Sequence, residues 1–416
     1  MFVKNIHIEN FRGLRDELVE FDKSTTVLAG KNGGGKSTVL EALAIMLSWL
    51  PVKLCNYALR GRKISERDIS YGADFSRLTM TLEGETPMKL TLFKERGATG
   101  TRLNSANSDM RAAEKFGRDM RVMLEGDGQV YLPVLAYYGA SRDVSGYCSP
   151  QPISSNDRTE VYKRAFQAGT DFNKLTRWFV EMVERRAAEM SEAAKLPLKK
   201  GNAKRLEIDA FYKPLSFVGR ALAGFLPEFS AFEVRNGEMW LRSRNIPASN
   251  LSDGEKTVIA LIADIAMRTI VANPNASNPL RSDAIILIDE LDLHLHPEWQ
   301  SEIAEKLPEI FPSAQFVISS HSPSVMSVAK NLYKIDGKSN AVERVENVYG
   351  RSPADILTQL LNAHREPAVA RKLRKMYEAI DAGDTRTAKK IVDELSVLIP
   401  DDPEVLRGEY LIRALG

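Results

Sequence analysis

The sequence predicts an α/β fold, and three observations carry that prediction. A β-branched apolar run at residues 25–28 leads directly into glycines, and apolar residues then recur at helical spacing over residues 38–50, up to Pro51. Two further apolar runs, at residues 284–288 and 315–319, have the pattern of buried strands. Buried strands that alternate with amphipathic helices are typical of α/β proteins.

Alternating apolar and polar residues predict additional short strands. Residues 2–8 and 18–21 form two of them, and residues 76–95 read as a pair of strands joined by a turn at residues 85–87. Residues 130–138 have the pattern of another buried strand.

The rest of the chain is predominantly helical in pattern. Residues 172–190 carry an apolar stripe at helical spacing, and residues 233–242 predict a hairpin. Between them, residues 195–205 are strongly basic, and we expect a mobile, solvated loop there. After Gly350 the composition is helical, with a break at residues 400–403.

Composition places the chain among ordinary globular proteins. It has 416 residues, of which 44% are hydrophobic and 27% charged, so we expect one large domain with insertions, or two domains. Lys plus Arg number 57 and Asp plus Glu number 55, a formal net charge of +2. The overall charge therefore argues neither for nor against nucleic acid, and any electrostatic recognition has to come from a local patch.

Cysteine usage and hydropathy predict a cytoplasmic protein. Cys55 and Cys148 are the only cysteines, too few for a disulfide framework or a zinc cluster. The N-terminal residues contain no long apolar segment typical of a signal peptide. The longest apolar helical stretch, residues 257–271, is interrupted by Asp264 and Arg268, so no membrane span is expected.

The strongest motif is GKNGGGKS at residues 30–37, which fits GxxxxGK[ST] between a strand and a helix. Glycines let backbone N–H groups surround phosphates, Lys36 reaches the β- and γ-phosphates, and Ser37 offers its hydroxyl to Mg²⁺. The alternative is a chance glycine turn before a helix. The residues expected at this phosphate site are Gly30, Lys31, Asn32, Gly33, Gly34, Gly35, Lys36, Ser37 and Thr38.

A second motif, IILIDE at residues 285–290, is a buried strand that ends in two acids. Nucleotide enzymes place one carboxylate beside Mg²⁺ and another beside the attacking water in this way. Asp289 is expected to hold the metal and Glu290 to polarise the water. The alternative is a strand followed by two solvated acids.

The segment NLSDGEK at residues 250–256 precedes a helical pattern. It resembles the signature motif of ABC-type ATPases, in the LSxGE form of SMC-like and RecF-like proteins. In that family the motif reaches the γ-phosphate held by the other subunit, and the matching residues are Ser252, Gly254 and Glu255. Ser252 and Glu255 also fit a helix capping box, and both interpretations can hold together.

The strand at residues 315–319 ends in a histidine that resembles the switch histidine of the same family, so His321 is expected to contact the γ-phosphate. The family's dimer-contacting D-loop is matched by Asp292. His294 and His296 have no evident third metal ligand and are interpreted as loop and interface residues.

Near the N-terminus, NFRG at residues 10–13 resembles an element of RecF-like and SMC-like heads in which a basic residue approaches the nucleotide. Arg12 is the matching position, with a simple surface arginine as the alternative. The family's Q-loop glutamine is not assigned, because Gln129 precedes the strand at 130–138 and Arg142 follows it.

The ordered motifs identify an ABC-type ATPase head of the RecF/SMC-like (OLD-like) group. The resemblance implies a P-loop NTPase head with an antiparallel β lobe, an inserted helical lobe and a C-terminal helical extension. The expected divisions are 1–140 and 245–346 for the two parts of the head, 141–244 for the inserted lobe, and 347–416 for the extension. The resemblance also implies binding of ATP and Mg²⁺, slow or fast ATP hydrolysis, and a homodimer with ATP at its interface.

The tail after residue 350 resembles that of ATPases from the Septu antiphage system and from related retron defence operons. This resemblance implies a partner HNH nuclease on a separate chain. An oligomer larger than the dimer is left as an alternative. The alternatives are a RecF-like repair ATPase that binds DNA directly, for example through residues 195–205, and an ATP-bound scaffold with negligible hydrolysis. For the tail helices, the alternative to a role in docking is that they pack on the head and do nothing more.

Overall fold

The structure, a computed structural model, describes most of the chain. The described residues are 1–31, 33–55, 59–97, 107–126, 130–140, 157–167, 171–293, 295–336, 341–359, 367–400 and 402–415. The chain divides into two units, Met1–Pro353 and Ala354–Gly416. Each unit has its own buried apolar core.

The strands lie in the first unit. They are β1 (Phe2–Phe11), β2 (Leu14–Glu20), β3 (Thr26–Ala29), β4 (Phe75–Glu83), β5 (Met88–Glu95), β6 (Val134–Tyr138), β7 (Phe232–Arg235), β8 (Glu238–Leu241), β9 (Ile246–Pro247), β10 (Ala284–Ile288), β11 (Ala314–Ser320), β12 (Asn331–Ile335) and β13 (Val342–Val345).

Helices surround these strands and make up the second unit. They are α1 (Lys36–Leu47), α2 (Arg111–Glu125), α3 (Phe172–Ala194), α4 (Leu198–Phe211), α5 (Lys213–Phe225), α6 (Asp253–Ala272), α7 (Pro297–Ile310), α8 (Pro323–Ser327), α9 (Pro353–Gln359), α10 (Pro367–Asp381), α11 (Thr385–Leu398) and α12 (Pro403–Leu415).

Within the described residues, three sheets organise the first unit. The central sheet has the order β13-β12-β3-β11-β10-β6, and all its pairings are parallel except that of the edge strand β13. An antiparallel sheet, β2-β1-β4-β5, forms the expected β lobe, and β7-β8-β9 form a small third sheet. The α/β fold with its antiparallel lobe is therefore confirmed.

Hydrophobic burial explains the central sheet. Every residue of β3, β6, β10 and β11 is buried, as expected for strands covered on both faces. The carboxyl ends of β3, β10 and β11 meet at one edge, because these strands run parallel and in order. The segments that follow these strands are the three phosphate-site motifs of the sequence, so the fold brings them together.

The basic run at residues 195–205 is not the loop we predicted. Most of it lies in α4, which begins at Leu198 and forms a helical hairpin with α3. Gly201 permits the close approach of the two helices, since a Cβ there would lie 2.8 Å from the carbonyl oxygen of Ala193. Ion pairs between Lys204 and Glu207 and between Lys195 and Glu192 also offset part of the charge. The amphipathic helix α2 was not predicted.

The second unit is helical, as its composition predicts. Helices α10, α11 and α12 pack around a shared apolar core. Gly408 lets α12 approach α10 closely, since a Cβ there would lie 2.7 Å from the sulfur of Met376. The buried residues of this core are Val369, Leu373, Met376, Ile380, Ala388, Val392, Leu395 and Val405.

Candidate functional site

The glycine-rich loop connects the buried strand β3 to α1. Gly30 and Gly35 adopt φ angles of 152° and 106°, a region that side chains disfavour, and a Cβ on Gly30 would overlap the carbonyl of Ile335. Glycine is thus required at both ends of the loop. Asn32 lies outside the described residues.

Lys36 is held inside this loop. It is only 5% exposed, and its Nζ donates hydrogen bonds to the carbonyl oxygens of Gly30 at 3.1 Å and Lys31 at 3.2 Å. Burial lowers the pKa of the Lys36 ammonium, and the nearby carboxylates Asp289 and Glu290 partly oppose that shift. A buried cation among backbone carbonyls and carboxylates is well placed to exchange these partners for phosphate oxygens.

Asp289 follows β10 and is 4% exposed. Its backbone N–H donates to the carbonyl oxygen of Tyr138 at 2.8 Å, which continues the pairing of β10 with β6. Its carboxylate accepts hydrogen bonds from the hydroxyls of Ser37, at 3.1 Å, and Ser319. The structure therefore brings Ser37 and Asp289, the two expected metal-site residues, into contact.

Glu290 turns the chain at the end of the same strand. Its φ of 49° lies in the left-handed region, an unfavourable conformation for a residue with a Cβ. The hydroxyl of Ser319 accepts a 2.7 Å hydrogen bond from its backbone N–H, and the carbonyl of Ser319 accepts a 3.0 Å bond from Leu291. Ser319 thus positions both acids of the motif. Ser319 was not predicted as a site residue, although its place at the end of a buried strand was a signal.

His321 lies just beyond β11. Its backbone N–H donates to the carboxylate of Asp292 at 3.2 Å. Burial lowers the pKa of the imidazole, and the positive charge of Lys36 lowers it further. The ring is therefore neutral near pH 7, in the form that has one N–H donor and one acceptor nitrogen.

These elements enclose one polar pocket of about 240 Å³. It combines the glycine loop and the start of α1 with Glu290 and His321, and Gly13 and Leu14 close it from the β lobe. The residues that line the pocket are Gly13, Leu14, Gly33, Gly34, Gly35, Lys36, Ser37, Thr38, Glu290 and His321.

Arg12 lies next to the pocket, in the turn between β1 and β2, and does not line it. Its guanidinium donates to the carboxylate of Asp68 at 2.9 Å and lies over the ring of Phe11. Its φ of 52° is left-handed, and its backbone N–H donates to the carbonyl of Asp68 at 2.6 Å. The nucleotide contact expected of Arg12 therefore stays a prediction.

The signature segment forms a capping box at the start of α6. The hydroxyl of Ser252 accepts the N–H of Glu255 at 3.3 Å, and the Glu255 carboxylate accepts the N–H of Ser252 at 2.7 Å. Arg244 pairs with both Glu255 and Glu228. Burial alone would raise the pKa of Glu255, but hydrogen bonds from Ser252 and Arg244 hold it below its ordinary value.

The signature segment and the glycine-loop pocket are separate surfaces of the chain. Residues 250–256, all described, contribute nothing to the pocket lining. Ser252 is exposed and Gly254 half-buried. The capping box engages the N–H of Glu255, so the N–H groups of Asp253 and Gly254 are the ones that this helix start leaves for an external acceptor.

A buried polar network connects α6 to the strand beside Asp289. The hydroxyl of Tyr138 donates to the carboxylate of Asp264 at 2.6 Å, and Arg268 donates to the same oxygen at 2.8 Å. Arg268 also donates to the carbonyl of Val161 at 2.8 Å. In the sequence, Asp264 and Arg268 served only to interrupt an apolar stretch, so this network was not foreseen.

Other candidates of the sequence analysis have no assigned role. Gln129, Arg142 and His294 lie outside the described residues. His296 is exposed and lies 3.7 Å from Glu298. Within the described ranges, no group of three or more His, Cys, Asp and Glu residues is arranged to hold a metal ion.

Residues 2–344 match the RecF/RecN/SMC N-terminal domain family, and the chain belongs to this family. It is similar to the Retron Vc95 probable ATPase of Vibrio cholerae serotype O1 biovar El Tor, at 26% identity over 94% of this chain and 86% of that protein. The chain is also similar to the Retron Ec83 probable ATPase of Escherichia coli, at 27% identity over 89% of this chain and 80% of that protein. The Septu protein PtuA of Bacillus mycoides (strain KBAB4) is 26% identical to this chain, over 77% of this chain and 38% of the length of PtuA.

The family assignment made from the motifs is thereby confirmed, together with the resemblance to retron and Septu ATPases. Membership of this ATPase family implies that the chain binds ATP. Over the described part of the chain, no helix is both long and apolar enough to cross a membrane.

Proposed function

We propose that this chain is an ATP-hydrolysing switch of the cytoplasm that closes as a head-to-tail pair around ATP. The 240 Å³ pocket carries the proposal, because it gathers Lys36, Glu290 and His321 from three distant segments around one glycine loop. A buried lysine, a helix N-terminus and backbone N–H groups are the donors that a triphosphate needs.

The residues beside the pocket fit Mg²⁺. Ser37 and Asp289 offer a hydroxyl and a carboxylate in mutual contact, and such oxygen ligands suit this hard cation. When bound there, Mg²⁺ would neutralise developing charge on the β- and γ-phosphate oxygens. The hydrogen bond from Ser319 keeps the Asp289 carboxylate oriented toward this position.

In the proposed hydrolysis, Glu290 and His321 have different roles. Glu290 orients a water and accepts its proton while the water oxygen bonds to the γ-phosphorus and the bond to the β–γ bridging oxygen breaks, giving ADP and phosphate. His321, neutral in the free chain, donates its N–H to a γ-phosphate oxygen. Lys36 stays on the β- and γ-phosphates throughout.

The second half of each ATP site comes from another copy. Ser252 and the first turn of α6 lie outside the pocket, so one chain holds a phosphate-binding loop and a signature segment on separate surfaces. A pair related by a twofold axis brings each signature segment to the other chain's nucleotide. SMC-like heads typically dimerise on ATP, which supports this arrangement.

Glu290→Gln tests the hydrolytic switch. The amide keeps the size of the side chain but accepts no proton, so turnover should fall at least about 100-fold while ATP binding persists. ATP should then hold the variant as a dimer in size-exclusion chromatography with light scattering, whereas Lys36→Ala should stay monomeric. Glu298→Gln, on the exposed start of α7, is the matched control. Hydrolysis by Glu290→Gln at the parent rate would refute the role of Glu290.

We further propose that the switch controls a separate HNH nuclease in antiphage defence. The similarity to proteins named as retron ATPases and Septu PtuA over most of this chain supports this role. Mass spectrometry of proteins purified with the tagged chain from its native host tests it. An HNH protein retained in ATP and lost in the Lys36→Ala variant is the expected result, and recovery of this chain alone would argue against the partner.

Direct DNA binding is the second candidate, and α4 favours it. Within the described residues, Lys199, Lys200 and Arg205 have no carboxylate partner, and all three are exposed. If α4 contacts DNA phosphates, binding should weaken steeply with salt and in the Lys199→Glu/Lys200→Glu variant. DNA-stimulated turnover would support a RecF-like role, and absence of turnover with intact ATP binding would support a scaffold.

A further inference from the structure

The helical part of the first unit contains a half-open groove of about 610 Å³. Its floor is formed by Leu175, Phe179 and Val183 on one face of α3, and by Val218 and Leu222 on α5. The small sheet closes one end through β7 and β8. The groove is separate from the ATP pocket, since the two share no lining residue.

Gly219 marks the unfilled part of this groove. A Cβ built on this glycine would meet no atom within 4 Å. Gly224, one and a half turns further along the same helix, is packed, since its Cβ would lie 2.8 Å from Ile310. Helix α5 therefore packs tightly toward α7 and leaves open space on the groove side.

The rim of the groove is basic. Lys213 and Arg220 line it and lie over the ring of Phe217, with 5.4 Å and 4.2 Å to its centroid. Neither forms an ion pair with any carboxylate in the described part of the chain. Arg186, also on the rim, is already paired with Asp209 at 2.7 Å. Two cations thus border an apolar floor without an acidic counterpart.

We propose that this groove binds an amphipathic α-helix of a partner protein, with its apolar stripe on the floor and acidic residues facing Lys213 and Arg220. The lining residues of α3 run from Leu175 to Arg186, about 16 Å along the helix axis, which matches three turns of a bound helix. An apolar floor suits leucine-like anchors at positions i, i+4 and i+7 and does not suit a phosphate backbone.

A partner helix in the groove would lie next to the helices that pack against the start of the signature helix α6. Both α3 and α5 pack against α6, whose first residue follows Ser252. A helix in the groove therefore contacts the two helices that support the signature segment. Binding of a helix in the groove does not require ATP hydrolysis, so it can be tested separately from the proposed function, both with and without nucleotide.

The probe is an acetylated 16-residue peptide with leucines at i, i+4, i+7 and i+11 and glutamates on its other faces, labelled for fluorescence anisotropy. A second peptide has lysine in place of every glutamate. The full chain should bind the acidic peptide at least about ten-fold more tightly than the basic one, because only the acidic peptide complements the rim. Equal binding of both peptides, or no binding of the acidic peptide, overturns the proposal.

Gly219→Leu tests the location. The leucine fills the groove and replaces glycine with a better helix former, so the fold should be retained while affinity for the acidic peptide falls at least about ten-fold. Gly219→Ala is the matched control and should lose less. If Gly219→Leu binds the peptide as the parent does, the site lies elsewhere and the proposal fails.

Charge reversal gives an independent test that leaves the apolar floor of the groove unchanged. Lys213→Glu/Arg220→Glu should weaken the acidic peptide at least about ten-fold and strengthen the basic one. Lys389→Glu/Lys390→Glu, on exposed positions of α11 outside the groove, is the control and should leave both affinities within two-fold. Equal losses in the two double variants would show non-specific charge attraction and overturn the proposal.

Discussion

The ATP pocket and the signature segment are both proposed to face phosphate, yet they are built differently. In the pocket, Lys36 and Asp289 come from distant parts of the chain and are held by hydrogen bonds to the loop, Ser37 and Ser319. The signature segment is local: Ser252 and Glu255 satisfy each other within one helical turn. Lys36 and Asp289 are buried, whereas Ser252 is exposed.

This difference explains how one chain can hold two half-sites without forming a complete one. In the proposed mechanism, the pocket assembled by the central sheet takes a nucleotide already in a monomer. An exposed helix start with its capping box complete needs only an external phosphate to complete its contacts. The proposed dimer brings the two halves together across a pair of chains, and separating them by mutation is the sharpest test of the comparison.

Mixing two inactive variants should give the largest effect. Lys36→Ala removes the phosphate cation and Ser252→Ala removes the signature hydroxyl, so each alone should lose at least about 100-fold in turnover. In a mixture, each pair that combines the two variants holds one complete site of two, so turnover should rise well above that of either variant alone, up to about half of the parent rate. Steady-state phosphate release measures it.

Ser252→Thr is the control, since threonine retains the hydroxyl and the helix cap and should keep most of the turnover. Activity of Ser252→Ala alone at the parent rate would place the signature segment outside the reaction. A mixture that stays inactive although both variants bind each other would show that one complete site is not sufficient.

Asp264 lies between the two regions, and Asp264→Ala should have the next largest effect. Asp264 sits on α6 and accepts from Tyr138, whose carbonyl accepts from Asp289. Removal of its carboxylate leaves the guanidinium of Arg268, which is fully buried, without its acid, and should lower the free energy of unfolding by about 3–5 kcal/mol. All four tryptophans lie in the first unit, so their fluorescence during urea unfolding reports on it.

Tyr138→Phe is the comparison for this variant. It removes one hydrogen bond to a charged group and leaves the ion pair intact, so the loss should be smaller, about 1.5–3 kcal/mol. A larger loss in Tyr138→Phe than in Asp264→Ala would contradict the account of the network.

The same two regions show what the sequence could predict. The glycine loop, the acids after β10 and His321 were found because each follows a buried apolar run, and parallel strands bring their carboxyl ends together. The capping box was found because its residues lie three positions apart. Motif spacing and periodicity are local properties, and they were sufficient for these residues.

What the sequence did not show depends on contacts between distant segments. Ser319 reaches Asp289, and Tyr138 reaches Asp264, only once the strands are paired in register. The groove beside Gly219 is likewise a property of how α3 and α5 pack. The basic run at 195–205 was predicted as a loop because of its charge. The packing of Gly201 against α3 is a contact between helices that the charge pattern does not indicate.

Arg244 should have a moderate effect, confined to the signature region. Its guanidinium joins Glu255 to Glu228, and both it and Glu228 are partly exposed, so Arg244→Ala should lower the free energy of unfolding by only about 1 kcal/mol. Turnover should fall a few-fold, because Glu255 loses one of the partners that fix the start of α6. ATP affinity of the isolated pocket should not change.

Arg242→Ala is the matched control, because Arg242 pairs with Glu233 on the neighbouring hairpin and does not reach the capping box. If both variants lose turnover equally, the effect belongs to the small sheet and not to the signature segment.

His321 should give the smallest effect, in the pH dependence of stability without nucleotide. Burial and Lys36 lower the pKa of the folded imidazole below its ordinary value of about 6.5. As the pH falls below that value, the unfolded chain binds a proton that the folded chain does not, so stability declines. His321→Asn and His321→Gln remove this contribution, and their melting temperatures should fall less between pH 7 and pH 5.5 than that of the parent. Identical declines in all three proteins would show that His321 is not held neutral by the fold.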